Sequence, residues 1–216
     1  MSDGKRASVM GRKAEHGVDE LFVRRWSPRA MSGEPLTEAE VLKLLEAARW
    51  APSSGNNQPW RFIYARAGTP HFERLFNLLV DANKSWCAKA GALFVVVSRK
   101  TRDDGKPART HSYDTGAAWM SLALQGTISG LVVHGMEGFD YDRARTELAI
   151  PEGYQVEAML AAGHPGPIEN LPERYRPREV PSDRHPVSDF AFEGRFTAPA
   201  SKPPESKEGG ENKAKS

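Results

Sequence analysis

Cysteine is almost absent from this 216-residue chain, in which Cys87 is the only one. A single cysteine cannot form an intramolecular disulfide or a Cys-x-x-Cys zinc or redox motif, which favours a reducing compartment. Acidic and basic residues nearly balance, and the formal net charge is +2. Nucleic-acid binding normally requires a concentrated basic patch. We therefore expect no nucleic-acid partner.

Several catalytic motifs are also missing. The chain contains no Gly-x-Ser-x-Gly, no Gly-x-x-x-x-Gly-Lys, no His-Glu-x-x-His and no Gly-x-Gly-x-x-Gly. Hydrolase, P-loop, zinc-protease and Rossmann interpretations therefore lack their motifs. The six histidines show no metal-ligand spacing, so no metal site is predicted. His134, on an apolar strand, is expected to be a hydrogen-bonded core residue.

Neither end of the chain has the composition of a folded segment. Residues 198–216 contain no Val, Ile, Leu, Met or aromatic residue, and such a segment cannot offset the entropy of ordering. Residues 1–17 are similarly polar and lack the apolar core of a signal peptide, so a cytoplasmic location is expected. The prediction is one folded domain over residues 18–197 between two disordered tails.

One internal stretch resembles a membrane span in length. Residues 116–136 contain no Asp, Glu, Lys or Arg, and about 20 apolar residues suffice to cross a bilayer. Polar residues interrupt the stretch, however, and its first half has helical spacing while Leu131, Val132 and Val133 form a strand-like run. A buried helix followed by a buried strand is the better interpretation, and no membrane association is expected.

Periodicity predicts helices that alternate with short strands. Thr37 and Glu40 form a capping box at the start of the clearest helix, whose apolar residues fall on one face. The predicted helices are 37–50, 70–89, 113–130 and 142–149, and the predicted strands are 61–65, 92–98, 131–135 and 155–162. Such alternation predicts an α+β or α/β architecture, a sheet covered by helices.

Two segments are crowded with hydrogen-bonding side chains. The first contains Arg25, Ser27 and Arg29, and guanidinium groups suit a phosphate or a carbonyl edge. The second, residues 51–60, carries hydroxyls and amides that both donate and accept. This mixture fits an aromatic heterocycle that carries a phosphate. The second segment is also rich in turn-forming residues, so a simple turn stays open as an alternative.

The order of these motifs resembles that of the FMN-dependent nitroreductase family. Arg-x-Ser-x-Arg at 25–29 is followed by a helix, by Ala-Pro-Ser-Ser-x-Asn-x-Gln-Pro-Trp at 51–60, and by Glu-Gly-Phe-Asp at 137–140. The resemblance runs from about Leu21 to about Phe196. It implies an α+β fold with a mixed sheet flanked by helices, built as an intertwined homodimer whose two FMN sites each take residues from both subunits.

The resemblance also implies which residues contact FMN. One subunit would supply the phosphate and pyrimidine contacts of the first segment: Arg25, Trp26, Ser27 and Arg29, of which Trp26 occupies a variable position. The other subunit would line the isoalloxazine with Pro52, Ser53, Ser54 and Asn56. The reactive edge of the flavin would lie along Met136, Glu137 and Gly138, with Gly138 allowing close approach.

Two further contacts are implied outside these segments. Asn83 would read the pyrimidine edge, and Arg184 would reach the phosphate. Three neighbouring arginines are alternatives for the phosphate contact: Arg174, Arg176 and Arg178. Residues 164–196 would form an arm that embraces the partner, anchored by Phe190, Phe192 and Phe196.

The activity that the resemblance implies is hydride transfer from NADH or NADPH to FMN and then to a small-molecule acceptor, such as a nitroaromatic or a quinone. The flavin carries this chemistry, so no catalytic side chain is predicted. Two alternatives stay open: a flavin-binding protein without nicotinamide turnover, and a reductive dehalogenase or flavin-consuming enzyme. The sequence after Pro52 and Ser53 argues against the dehalogenase.

Overall fold

The structure is a computed structural model that describes residues 8–197. The contacts divide the chain into two units, one up to Ser182 and one that begins at Asp183. The second unit contains a 3-10 turn, Val187–Asp189, and an edge-to-face pair of Phe192 and Phe196 rings with centroids 5.3 Å apart. The predicted C-terminal tail and the first seven residues lie outside the described part, so their disorder stays a prediction, as does docking of the arm on a partner.

All regular helices and strands of the described residues belong to the first unit. The strands are β1 (Ser8–Val9), β2 (Arg12–Lys13), β3 (Trp60–Arg66), β4 (Ala92–Arg99), β5 (Val132–Met136) and β6 (Tyr154–Gly163). The helices are α1 (Glu20–Arg24), α2 (Glu38–Arg49), α3 (Pro70–Asn77), α4 (Asp81–Cys87), α5 (His111–Ile128) and α6 (Tyr141–Glu147). The predicted α+β class is confirmed.

Part of the predicted N-terminal tail has regular structure. Strands β1 and β2 pair as a short antiparallel hairpin, and α1 follows with Asp19 as its N-cap. The prediction of disorder to residue 17 is therefore corrected for the residues of this hairpin. The sequence missed it because two-residue strands carry no periodic signal.

Helix α2 begins where the capping box predicts. The Glu40 amide donates to Thr37 Oγ1 at 3.2 Å, and the Thr37 amide donates to Glu40 Oε2 at 2.8 Å. Each side chain thereby satisfies a backbone group that the first helical turn leaves without a partner. The predicted apolar face, which includes Val41 and Leu44, is buried.

The single helix predicted over 70–89 is wrong, because the chain breaks it into α3 and α4. Leu79 forms a β-bridge with Phe139, and the Val80 amide donates to the Gly138 carbonyl at 3.1 Å. The backbone groups that would continue the helix are thus paired instead with the segment that follows β5. The hydrophobic periodicity of the sequence does not reveal this break. Leu75 and Leu79 are both buried, as they would be on one face of a continuous helix.

The main sheet has the strand order β3-β4-β6-β5, and all its pairs in the described residues are antiparallel. Helix α5 carries the chain from β4 to β5 across the position that β6 later fills. The parallel component of the predicted mixed sheet is not among the described strands. A parallel pair would require at least one further strand that is not among the described strands.

Strand β4 lies at the centre of two apolar cores. Its residues Leu93, Val95 and Val97 face the core that includes Leu75 and Trp86. Alternate residues of β4 face a second core with α2 and α5, which includes Phe94, Val96, Leu44 and Leu122. Burial on both faces explains why this strand is apolar without alternation. No helix within the described residues is long and apolar enough to span a membrane.

The segment that follows β6 packs tightly against Met31. The Gly166 amide donates to the Ala30 carbonyl at 3.1 Å, and Ser32 donates to the His164 carbonyl at 2.9 Å. A Cβ atom at Gly166 would lie 2.3 Å from the carbonyl carbon and oxygen of Met31. Only glycine permits this approach of two backbones.

We therefore expect Gly166→Ala to lower the free energy of unfolding by about 1–3 kcal/mol, the usual cost of overpacking. Gly153→Ala is the control, because a Cβ at Gly153 meets nothing within 4 Å. Denaturant unfolding followed by circular dichroism measures both. Equal midpoints for the two variants would show that residues 30–32 and 164–166 do not approach so closely.

Candidate functional site

Arg29 is the most informative side chain of the first segment. Its guanidinium carbon lies 5.9 Å from the centroid of the Trp86 ring and 5.7 Å from that of Tyr175. The side chain is half-buried, and its N–H groups have no hydrogen-bond acceptor within residues 8–197. A guanidinium held between two rings with all its donors available suits a planar polar edge or a phosphate.

Arg25 and Ser27 are also brought together. Arg25 Nη1 donates to Ser27 Oγ at 3.3 Å, and the Arg25 carbonyl accepts from the guanidinium of Arg12 at 3.2 Å and 3.3 Å. The hairpin thus fixes the backbone of the first segment. This contribution of Arg12 has no signal in the sequence.

Trp26 points toward a different part of the surface. It lines a cavity of about 660 Å³, within the usual range for small-molecule sites. The lining also includes Arg24, Glu179, and Thr127 and Ile128 from the end of α5. The cavity therefore adjoins the first segment but contains only one of the predicted contact residues.

His134 fixes the first segment to β5. Its Nδ1 lies 2.9 Å from the Pro28 carbonyl oxygen, which can only accept, so we assign the proton to Nδ1. Burial lowers the pKa of His134, and the positive charge of Arg29 lowers it further. His134 is therefore a neutral hydrogen-bonded residue, as the sequence predicts.

Asn83 and Gly138, which the resemblance assigns to two different edges of the flavin, contact each other directly. Asn83 Nδ2 donates to the Gly138 carbonyl at 2.9 Å, and its Oδ1 accepts from Trp86 Nε1 at 3.2 Å. A Cβ atom at Gly138 would lie 2.7 Å from Asn83 Nδ2 and 3.0 Å from Val80 Cγ2. Close packing on α4 therefore requires glycine here, whether or not a ligand approaches.

Glu137 and Met136 differ in exposure. Glu137 is exposed, whereas Met136 is buried with its sulfur 3.4 Å from Cys87 Sγ. Only the backbone of Met136 is available to a ligand. Burial raises the pKa of the Cys87 thiol, which makes it a core residue rather than a nucleophile.

The second segment forms a tight turn, so the turn interpretation is confirmed. Gly55, Asn56 and Gln58 have φ values of 58°, 55° and 45°. Ser53 Oγ accepts from the Gln58 amide at 3.0 Å, and the Ser54 amide donates to Asp114 Oδ2 at 3.1 Å. The positive φ angles of two non-glycine residues indicate a backbone constrained by its surroundings. A fixed turn is compatible with a binding role.

Asp114 is a residue of this site that the sequence analysis missed. Its carboxylate is buried and accepts from Thr110 Oγ1 at 3.0 Å as well as from Ser54. It is the only Asp, Glu, Lys or Arg residue of α5. A lone charge in an 18-residue apolar helix is a signal that was available, because a buried carboxylate requires partners.

The two segments lie at opposite ends of α5 in one chain. Ser54 contacts Asp114 at the amino end, whereas Trp26 shares a cavity with Thr127 at the carboxyl end. At 1.5 Å per residue, Asp114 and Thr127 are about 20 Å apart along the axis. A single chain therefore does not bring Trp26 and Ser54 together.

Two of the three alternative phosphate-binding arginines have partners within the chain. Arg174 donates to Ser85 Oγ at 3.1 Å, and Arg176 donates to the carbonyls of Leu171 and Glu169 at 3.1 Å and 3.3 Å. Arg184 belongs to the second unit, where its amide and its Nη1 bond to Asp183. Its contact with phosphate stays a prediction.

The fold and these contacts define an α+β protein whose two predicted binding segments lie at opposite ends of α5. The model of the nitroreductase family matches residues 23–84. A 5,6-dimethylbenzimidazole synthase from Rhodospirillum rubrum is 47% identical over 200 residues, covering 79% of this chain and 92% of that protein. A putative NADH dehydrogenase/NAD(P)H nitroreductase from Rhodopseudomonas palustris is 32% identical over 174 residues, covering 71% and 87%.

A solved structure supports the same assignment. A crystal structure described as an oxidoreductase containing FMN superposes with a TM-score of 0.86 at 44% identity, covering 89% of this chain and all of that one. The chain belongs to the nitroreductase family.

The neutral state of His134 predicts how stability depends on pH. Because folding lowers its pKa below the ordinary 6.5, the unfolded chain binds more protons as pH falls below that value, and stability is lost. We expect His134→Asn, which keeps a donor for Pro28, to flatten this dependence between pH 7 and 5. Denaturant midpoints across the range measure it. Parallel curves for both proteins would assign the pH dependence to other groups.

Proposed function

We propose that this chain is an FMN-dependent oxidoreductase that takes electrons from NADH or NADPH and reduces small electron-poor acceptors such as nitroaromatics or quinones. The observation that carries the proposal is Arg29, whose half-buried guanidinium lacks an acceptor within the described residues. The names of the relatives, an NAD(P)H nitroreductase and an oxidoreductase containing FMN, support it.

The residues of the first unit suit the polar end of FMN. Arg29 offers donors and a positive charge to the pyrimidine end or the phosphate, and it favours the negative charge that this end acquires on reduction. Asn83 bonds to the Gly138 carbonyl and to Trp86, whose ring lies 5.9 Å from the Arg29 guanidinium. Bound FMN supplies the hydride exchange itself, and the protein supplies orientation and electrostatics.

No side chain of the site is proposed as a general acid or base. His134 is held neutral and is engaged with Pro28, and the Cys87 thiol is buried in the core. The chain binds and orients, which fits a ping-pong exchange in which the nicotinamide leaves before the acceptor takes its place.

We also propose that the site is completed in a homodimer. Helix α5 exposes Tyr113, Met120 and Ile128 at 82%, 37% and 59%, and its only Asp, Glu, Lys or Arg residue, Asp114, is buried. An uncharged exposed stripe on a long helix marks an interaction surface. Two α5 helices packed antiparallel about a twofold axis would bring the Ser54 end of one chain to the Trp26 end of the other.

The homodimer predicts that Met120→Asp yields a monomer with weakened FMN binding, because a charge would be buried at the interface. Tyr64→Asp on β3 is the matched control, since Tyr64 and Met120 are both 37% exposed. Sedimentation equilibrium measures the mass, and fluorescence titration measures FMN affinity. A Met120→Asp protein that remains dimeric would remove α5 from the interface.

A second function has a specific observation in its favour. The 47% identity to a 5,6-dimethylbenzimidazole synthase exceeds the identity to the NAD(P)H nitroreductase homologue. That product contains a dimethylbenzene ring with nitrogen atoms attached to two adjacent ring carbons. The flavin ring system contains the same skeleton. In this alternative, reduced flavin would be consumed as a substrate rather than recycled as a cofactor.

The visible spectrum during turnover separates these functions. A cofactor role predicts a flavin band that bleaches with anaerobic NADH or NADPH and returns fully when a quinone is added. The synthase predicts irreversible loss of the band in air together with a benzimidazole product detected by mass spectrometry. Retained flavin that neither nicotinamide reduces would favour a binding protein without turnover, and failure to bind added FMN in either redox state would contradict all three.

The role of Arg29 predicts that Arg29→Ala weakens FMN binding by about 1.5–3 kcal/mol, the range for hydrogen bonds to charged groups. Arg74→Ala is the charge-matched control, since Arg74 is exposed on α3 and belongs to neither predicted segment. Titration of the apoproteins with FMN measures both affinities. Equal affinities would place Arg29 outside the site.

A further inference from the structure

Glu179 holds the backbone of the first segment from 150 positions away in sequence. Its Oε1 accepts from the amides of Arg29 and Ala30 at 2.6 Å and 2.8 Å. The second oxygen, Oε2, is buried without a hydrogen-bond partner within the described residues. These two short hydrogen bonds from consecutive amides fix the orientation of the backbone from which the Arg29 side chain extends.

The segment that precedes Glu179 also contacts α4. Tyr175 covers the Arg29 guanidinium with its ring, and its hydroxyl donates to the Ala82 carbonyl at 2.8 Å. Arg174 reaches Ser85 on the same helix. Residues 173–179 therefore touch both Arg29 and the helix that carries Asn83 and Trp86.

We propose that residues 173–179 form a positioning element that fixes Arg29 relative to α4, and that Glu179 is its principal positioning residue. The inference deepens the proposed function and rests on it, because Arg29 is proposed to meet FMN. Glu179 itself touches no reacting atom and acts through Arg29.

The physical effect is preorganisation. Arg29 is a long side chain with many rotamers, and binding would otherwise have to order it. Glu179 fixes its backbone, while the rings of Trp86 and Tyr175 lie close to its guanidinium. The N–H donors of Arg29 are therefore oriented before a ligand binds. The electrostatic stabilisation that they offer a bound ligand depends on this orientation.

The test compares Glu179→Ala with Glu179→Gln in apoprotein titrated with FMN. Glutamine keeps an oxygen that can accept both amides, whereas alanine removes it. We expect the FMN dissociation constant to rise about tenfold or more in Glu179→Ala, the scale of one lost orienting contact, and to change less than about twofold in Glu179→Gln. Glu152→Ala, a change at an exposed glutamate outside this segment, should match the wild type.

The midpoint potential of bound flavin separates positioning from a merely structural role. If Glu179 orients Arg29, the potential of Glu179→Ala becomes more negative than that of Glu179→Gln, because both variants lack the carboxylate and only alanine releases the fixed positive charge of Arg29. A general loss of structure would instead lower thermal stability and leave the potential of the remaining holoprotein unchanged. Wild-type affinity and potential in a folded Glu179→Ala protein would overturn the inference.

Tyr175 provides a second test should Glu179→Ala fail to fold. Tyr175→Phe keeps the ring over Arg29, and Tyr175→Leu removes it, so only the leucine variant should weaken FMN binding. Equal affinities for these two variants would also overturn the inference. If the wild type itself fails to bind FMN, the proposed function fails, which is distinguishable from these outcomes.

Discussion

The backbone of residues 28–32 must find hydrogen-bond partners without belonging to a strand, and the site depends on how it does so. Buried backbone groups are almost always paired. Here the partners come singly from distant positions: His134 for Pro28, Glu179 for the next two amides, Gly166 for Ala30, and Asn170 for Met31. A segment held at successive residues by separate parts of the chain cannot shift without breaking several bonds at once.

This arrangement fixes the position of one positive charge, and the nearby carboxylate of Glu179 bonds to its backbone amide. Arg29 lies between two aromatic rings, and the neighbouring His134 is kept neutral by burial and by Arg29 itself. Arginine stays protonated at any physiological pH. The charge that would meet the ligand is therefore constant, and pH acts on the stability of the fold through His134 rather than on the charge of the site.

The sequence was sufficient for elements whose signals are local. The capping box of Thr37 and Glu40 located α2, and the apolar run of β4 located a strand buried on both faces. The break between α3 and α4 was not predictable, because it depends on a bridge from Leu79 to Phe139, which comes from tertiary pairing. The same reason applies to the site: residues 25–29 were found by their chemistry, but Glu179, 150 positions away from Arg29, becomes recognisable only when the fold brings them together.

Helix α5 both stabilises the fold and separates the two segments of the proposed site. Its buried face packs on the sheet, its amino end holds the Ser54 turn through Asp114, and its carboxyl end borders the cavity of Trp26. In the proposed twofold dimer each chain would supply one half to each site, so any contact that closes one site would be repeated at the other. Loss of the α5 interface would then open both sites together. This coupling gives a physical reason for an exposed helix face without charge, which a monomer would have no need to maintain.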